Sequence, residues 1–144
     1  MRAMNAIVVG TDGSPGAEAA VRRVIELTGG SGATVHLVCA YPAPTGLERL
    51  GLTARQDPTD LRGVAFDVLA RDERRLTEAG FTVEKHALES DPAHAIIDVA
   101  TEQNADLIAV GARGNTGVRR FILGSVSSKL AHHTPTSLLI VRDD

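Results

Sequence analysis

Residues 107–141 read LIAVGARGNTGVRRFILGSVSSKLAHHTPTSLLIV. Residues 107–110 are a short continuous apolar run, the pattern of a strand buried on both faces. The run ends in Gly111-Ala112-Arg113-Gly114, and nine residues later Gly124-Ser125-Val126-Ser127-Ser128 opens a helix-like stretch over 126–133. Ser137–Val141 is strand-like again. A strand, a glycine-bearing turn and a helix N-terminus in this order can bring backbone N–H groups up to a phosphate.

Each residue type in the run has a physical use there. Gly111, lacking Cβ, lets a ligand approach the strand end closely, and Gly114 lets the chain turn with positive φ. Gly124 repeats this before the helix. Ser125 is expected as the N-cap, its hydroxyl shared between free helical N–H groups and a phosphate oxygen. Val126 and Ser127 offer backbone N–H groups, and Ser127 or Ser128 a further hydroxyl. The helix dipole adds roughly 0.3–1 kcal/mol for an anion. Hydrogen bonds to charged oxygens weigh more, at about 1.5–3 kcal/mol each before ordering costs. The spacing alone leaves a second reading open, a plain turn followed by an ordinary N-cap.

Charge singles out the same segment. The chain has 144 residues and a net charge of −3, which argues against a general nucleic-acid binder. Residues 107–142 nevertheless hold no Asp or Glu, while Arg113, Arg119, Arg120, Lys129 and Arg142 all fall there. Two readings stand: chance clustering on a solvated face, or a local field suited to a polyanion.

Moving toward the N-terminus, residues 6–9 (AIVV) form another buried-strand run, ending in Gly10-Thr11-Asp12-Gly13-Ser14-Pro15. Ser14 as N-cap and Pro15 at the first helical position start a helix that Gly29-Gly30 stops. Residues 34–40 read as a second strand. Residues 41–58 carry three prolines and no clean period and are expected as a loop. From Asp60, Leu61, Val64, Val68, Leu69 and Leu76 mark one helix face ending near Gly80. Residues 81–88 alternate as a third strand, and Asp91-Pro92 caps a further helix with Ala93, Ile96, Ile97 and Ala100 on one face. Strands thus alternate with helices throughout, the signature of a single three-layer α/β/α sandwich spanning 1–144. In such sheets ligands collect beyond the strand C-termini, so the loops after strands one and four are candidates for one crevice.

Asp12 follows the first strand, where a carboxylate can accept from ribose hydroxyls or hold a divalent cation through water; an Asx turn into the helix is the alternative. Neither G-x-G-x-x-G nor the Walker loop occurs. The five histidines, His36, His86, His94, His132 and His133, offer no zinc-type spacing along the chain, so no metal ligand is assigned. No G-x-S-x-G or nucleophile–base–acid set occurs, so no catalytic residue is assigned either. Cys39, the one cysteine, is expected as a small core residue and fits a reducing compartment. Four aromatic residues are too few for a base-stacking platform. The N-terminus shows no secretory pattern, and no apolar run reaches the ~20 residues of a membrane span.

At this point IVVGTDGS (7–14), DPAHAIIDVA (91–100) and the 107–141 run together resemble the universal stress protein family. The family's pattern G-x2-G-x9-G-[ST] falls on Gly111, Gly114, Gly124 and Ser125 without insertion, and the resemblance runs from about residue 5 to 142. It implies a five-stranded parallel sheet of order 3-2-1-4-5, Rossmann-like and of the adenine nucleotide alpha hydrolase-like kind, with ATP at its C-terminal edge. Matching positions are Thr11 and Asp12, the latter near the ribose, and Ala40, whose backbone would meet adenine. Gly111, Arg113 and Gly114 would line the ribose–phosphate turn. Gly124, Ser125, Val126 and Ser127 would hold phosphates, with Mg²⁺. Members lacking the glycines tend not to bind ATP, so the chain resembles the ATP-binding branch.

The resemblance also implies a homodimer through the last strand. An apolar edge strand of Leu138, Leu139, Ile140 and Val141 is a liability unless paired, and two-fold pairing covers it. The function it implies is a cytoplasmic, nucleotide-dependent regulatory module in the stress response that acts on an unknown protein partner, without nucleic acid or membrane. The alternatives are a slow Mg²⁺-dependent ATPase, with Asp12 orienting metal or water and Arg113 offsetting phosphoryl charge, and an interaction subunit that takes AMP or cyclic AMP.

Overall fold

The computed structural model describes residues 3–44, 46–52, 60–114 and 122–143. Its elements run β1 (Ala6–Gly10), α1 (Pro15–Thr28), β2 (Thr34–Tyr41), α2 (Gly46–Arg49), α3 (Leu61–Glu78), β3 (Thr82–Glu89), α4 (Pro92–Glu102), β4 (Leu107–Gly111), α5 (Ser125–His133) and β5 (Ser137–Val141). The strands form one five-stranded sheet in the order β3-β2-β1-β4-β5, with all four neighbouring pairs parallel. The expected strand order is therefore observed.

The central strand has no water-facing side, which is why it is apolar at every position: Ile7, Val8 and Val9 are all fully buried. Alternate residues feed two cores. Ile7, Val9, Val35 and Leu37 pack with Val21 and Val24 of α1 and Val68, Leu69 and Leu76 of α3. Val8, Val38, Ile108 and Val110 pack on the other face with Ile96 and Val99 of α4 and Leu130 of α5. Helices thus cover both faces, as parallel connections require.

Helix starts follow their capping chemistry. The Ser14 hydroxyl accepts from the Ala17 amide at 3.2 Å, with Pro15 in the first turn of α1. Asp91 does the same for α4, accepting from the His94 amide at 3.1 Å. These caps place the N-termini of both helices at the C-terminal ends of the strands.

Two expectations are corrected. The stretch after β2 contains a short helix, α2, whose first-turn-length span leaves no residue buried; the remainder of the expected loop, at 45 and 53–58, lies outside the described residues. In α3 the inward face holds Ala65, Val68, Leu69, Asp72 and Leu76, while Val64 is 45% exposed. A 3.6-residue period through Leu69 and Leu76 selects 65 and 72 rather than 64. Asp72, a charged residue type, thereby takes an interior position.

Candidate functional site

The loops after β1 and β4 meet, with the N-terminus of α5, around one cavity of about 280 Å³. All ten residues singled out from the sequence line it: Thr11, Asp12, Ala40, Gly111, Arg113, Gly114, Gly124, Ser125, Val126 and Ser127. Its apolar wall comes from Val38, Val110, Pro92 and Ile96. Pro92, Ile96 and Val110 fall inside the quoted segments but read there as cap, helix face and strand, and Val38 lies within β2, so the sequence singles out none of them as a site residue.

The α5 N-terminus is built differently from the sequence expectation. Gly124, not Ser125, is the N-cap, with no side-chain cap bond, and Ser125 is the first helical residue, exposed. The Gly124 carbonyl accepts the first helical bond from the Ser128 amide at 3.0 Å. The amides of Ser125, Val126 and Ser127 precede that bond, and all three residues line the cavity. The Ser127 hydroxyl is also redirected. It is buried and donates to the carbonyls of Ala112 at 2.8 Å and Gly124 at 3.1 Å. What Ser127 presents to the cavity is therefore backbone.

That inward turn has a structural use. The Ala112 carbonyl accepts from both the Ser127 hydroxyl and the Gly124 amide, the latter at 2.7 Å, and the Ala112 amide donates to the Val141 carbonyl at 2.7 Å. The end of β4 is thus tied to the start of α5 and to β5. Arg119 and Arg120, two of the expected basic residues, lie outside the described residues.

The glycines matter through close approach. Gly114 is not among the glycines with positive φ, contrary to expectation. A Cβ there would instead sit 2.5 Å from Asp12 Oδ2, so the β4 turn rides against the β1 loop. Gly111 is occluded by the protein itself: a Cβ would lie 2.7 Å from the Gly16 carbonyl group, so its bareness serves the β4–α1 contact rather than a ligand. Gly124 is tight as well, with a Cβ 3.3 Å from the Ala112 carbonyl oxygen.

The side chains at the mouth are already engaged. Asp12 Oδ1 accepts from the Ser14 amide at 2.9 Å, so the Asx turn exists and leaves Oδ2 facing Gly114. The Thr11 hydroxyl accepts from the Gly13 amide at 3.2 Å and donates to Asp72 at 2.7 Å. Burial raises the Asp72 pKa above the usual aspartate range, and Thr11, Arg75 and Arg71 offset part of that rise. Arg113 reaches Asp143 at 3.2 Å with about a quarter of its side chain exposed. Lys129 pairs with Asp91 at 3.2 Å, linking α5 to the α4 cap. Cys39 is buried and its thiol is pushed up to about 11, first by burial and then by Asp12 and Asp72.

Sequence comparison matches this architecture to one family model, the universal stress protein family, over residues 4–142. The chain belongs to the universal stress protein family. Among curated universal stress proteins, Rv1636 of Mycobacterium tuberculosis (strain ATCC 25618 / H37Rv) is 29% identical over 144 residues, covering 98% of each chain. Among solved structures, hypothetical protein MJ0577 superposes with a TM-score of 0.85 at 21% identity, covering 99% of each chain. A universal stress protein in complex with cAMP superposes with a TM-score of 0.73 at 27% identity, covering 99% of this chain and 100% of that one.

Proposed function

We propose that this universal stress protein binds an adenine nucleotide, ATP in the first instance, in the cavity at the C-terminal edge of the sheet. The observation that carries this reading is the opening of the α5 N-terminus onto that cavity. Ser125, Val126 and Ser127 line it, and no side chain caps the helix. Backbone amides and the helix dipole at that point suit a phosphate chain. The apolar wall of Val38, Val110, Pro92 and Ile96, with the backbone of Ala40, suits a base. The residues present fit the nucleotide: Gly114 and Gly124 let the β4 turn close against the β1 loop and the α5 N-terminus around the cavity. Asp12 is the carboxylate among the described lining residues, and Mg²⁺ would be held there with the phosphates.

On this reading the chain is a single-domain regulatory module of the cytoplasm. Nucleotide occupancy sets the surface around the β4–α5 connection that a partner protein meets. Two copies pair through β5, whose Leu138, Leu139 and Ile140 are incompletely buried at the sheet edge. Light scattering at micromolar concentration checks this: a dimer mass is expected, and a monomer mass contradicts it. A second nucleotide, cyclic AMP, has a specific observation in its favour, the related structure in complex with cAMP.

The experiment is mass spectrometry of any small molecule released on denaturation, followed by calorimetric titration with ATP, ADP, AMP and cyclic AMP. ATP is expected to bind most tightly, and Gly114→Ala, which pushes against Asp12, to weaken it by about tenfold or more, the loss of one charge-assisted contact. Preference for cyclic AMP selects the second nucleotide. Absence of binding by all four contradicts the reading.

A further inference from the structure

On the face of the sheet that carries α4 and α5, the pairing of β2 with β3 assembles a group that its sequence positions conceal. His36 lies opposite Glu84 in the register, and Val38 opposite His86. The three side chains share one face, and their ligand atoms all lie within 4.8 Å of one another. His36 Nδ1 is 3.1 Å from His86 Nε2 and 3.2 Å from Glu84 Oε2.

That convergence is hard to satisfy with protons alone. A neutral imidazole nitrogen either donates one proton or accepts with one lone pair. If His36 Nδ1 accepts from His86, its lone pair faces the Glu84 carboxylate. If it carries the proton, that proton must be split between two acceptors. The His36 ring is almost wholly buried, so a ring nitrogen left without a proper partner there is costly.

We propose that His36, Glu84 and His86 form a binding site for a divalent transition-metal ion, Zn²⁺ by the chemistry of the ligand set. Two imidazoles and a carboxylate are a recurrent three-ligand zinc set that leaves one position for water. Zinc–nitrogen distances of about 2.0–2.1 Å place ligand atoms at the corners of a tetrahedron with edges of about 3.3–3.4 Å. The observed separations of 3.1 and 3.2 Å are within a few tenths of those edges. One ion gives all three lone pairs a common acceptor. Each neutral ring binds through one nitrogen and carries its proton on the other. Half of the Glu84 side chain is exposed, 56%, which gives the ion an entry path and the water its position.

None of the three ligand residues lines the nucleotide cavity, although Val38, two residues from His36 and opposite His86 in the register, forms part of its apolar wall. A bound ion would clamp β3, the edge strand, to β2. With no lining residue of the cavity among the three ligands, either ligand can bind without the other.

The test uses the full chain, free of any affinity tag and dialysed against a chelator. Zn²⁺ is titrated in competition with a chromophoric chelator, and Co²⁺ replaces it for visible spectroscopy. One equivalent of Zn²⁺ is expected, with the intense visible bands of four-coordinate Co²⁺ and a rise in melting temperature. Loss of an outer-shell partner already costs about 10–100-fold in metal affinity, so His86→Gln and Glu84→Gln should each cost at least about 100-fold. Both positions are partly or fully exposed, and far-UV circular dichroism confirms that the variants fold. His132→Gln with His133→Gln, on the far end of α5, should leave binding intact. No stoichiometric binding overturns the site. So does binding that survives His86→Gln and Glu84→Gln, or that is lost with the His132/His133 pair.

Discussion

Gly111 at the end of β4 abuts Gly16 in the first turn of α1, so closely that a Cβ on Gly111 would lie 2.7 Å from the Gly16 carbonyl carbon and oxygen. In return, a Cβ on Gly16 would collide with the Arg113 carbonyl oxygen. The two backbones touch, and this contact holds the β4 turn against the helix that Ser14 caps.

Gly16→Ala tests the contact cleanly. Alanine is intrinsically better than glycine in a helix by about 1 kcal/mol. Overpacking against backbone costs about 1–3 kcal/mol. Urea unfolding is expected to show a net destabilisation for Gly16→Ala and a larger one for Gly111→Ala, which has no helical compensation. An unchanged or raised midpoint in both would contradict the contact.

Thr11 and Asp72 give a pH signature. Burial raises the Asp72 pKa in the folded chain, so the native state holds the proton more firmly than the unfolded chain does. Stability therefore falls as pH rises through the window from the ordinary aspartate value, about 3.9, up to the raised one. Asp72→Asn removes that slope, so its stability relative to the parent should improve as pH rises across the window. Thr11→Val deletes the hydroxyl that donates to the carboxylate and should cost about 1–3 kcal/mol. A parent and Asp72→Asn that track each other from acid to neutral pH would contradict this.

Asp91 carries the opposite sign. The His94 amide is the largest cause holding its pKa below the usual range, with Lys129 adding to it. Its stabilising charge is present above the unfolded value and lost as pH falls through the depressed folded one. Asp91→Ala should cost about 1 kcal/mol at neutral pH, the typical worth of an N-cap. The loss should shrink on acidification. A loss constant down to about pH 2, below the ordinary aspartate value, would exclude a charge-dependent cap.

Cys39 should be chemically silent in the native state. With its thiol pushed up to about 11, almost no thiolate exists at neutral pH, and the side chain is buried. A thiol reagent should label it only after denaturant is added. Rapid labelling of the folded chain would contradict the placement.

How much of this was legible in the sequence depends on the range of each interaction. The strands and the caps at Ser14 and Asp91 follow from local patterns, and the structure agrees. Gly111, Arg113, Gly114 and residues 124–127 also line the cavity, and the nucleotide titration decides what they bind. Ser125 misled because serine is a good cap in isolation, whereas here the Gly124 carbonyl starts the helix and the Ser127 hydroxyl turns inward to Ala112. Val64 misled because valine looks like a core residue, while the helical period gave its place to Asp72, whose partner Thr11 is 61 residues away. His36 and His86 are 50 residues apart and meet only through strand register. No spacing rule along the chain reports a contact made by sheet pairing.

On the proposed function, the first turn of α5 binds the phosphates of an adenine nucleotide. Ser125→Asp separates phosphate binding from stability, because an acidic residue in the first helical turn favours the helix by about 0.3–1 kcal/mol while opposing a bound anion. The measurement is calorimetric titration of ATP into the parent chain and Ser125→Asp, with melting temperatures of both. We predict a loss of ATP affinity of at least about tenfold, equivalent to about 1.4 kcal/mol, with a melting temperature equal to or above the parent's. Undiminished ATP affinity in a folded Ser125→Asp chain would place the phosphates elsewhere and contradict the account.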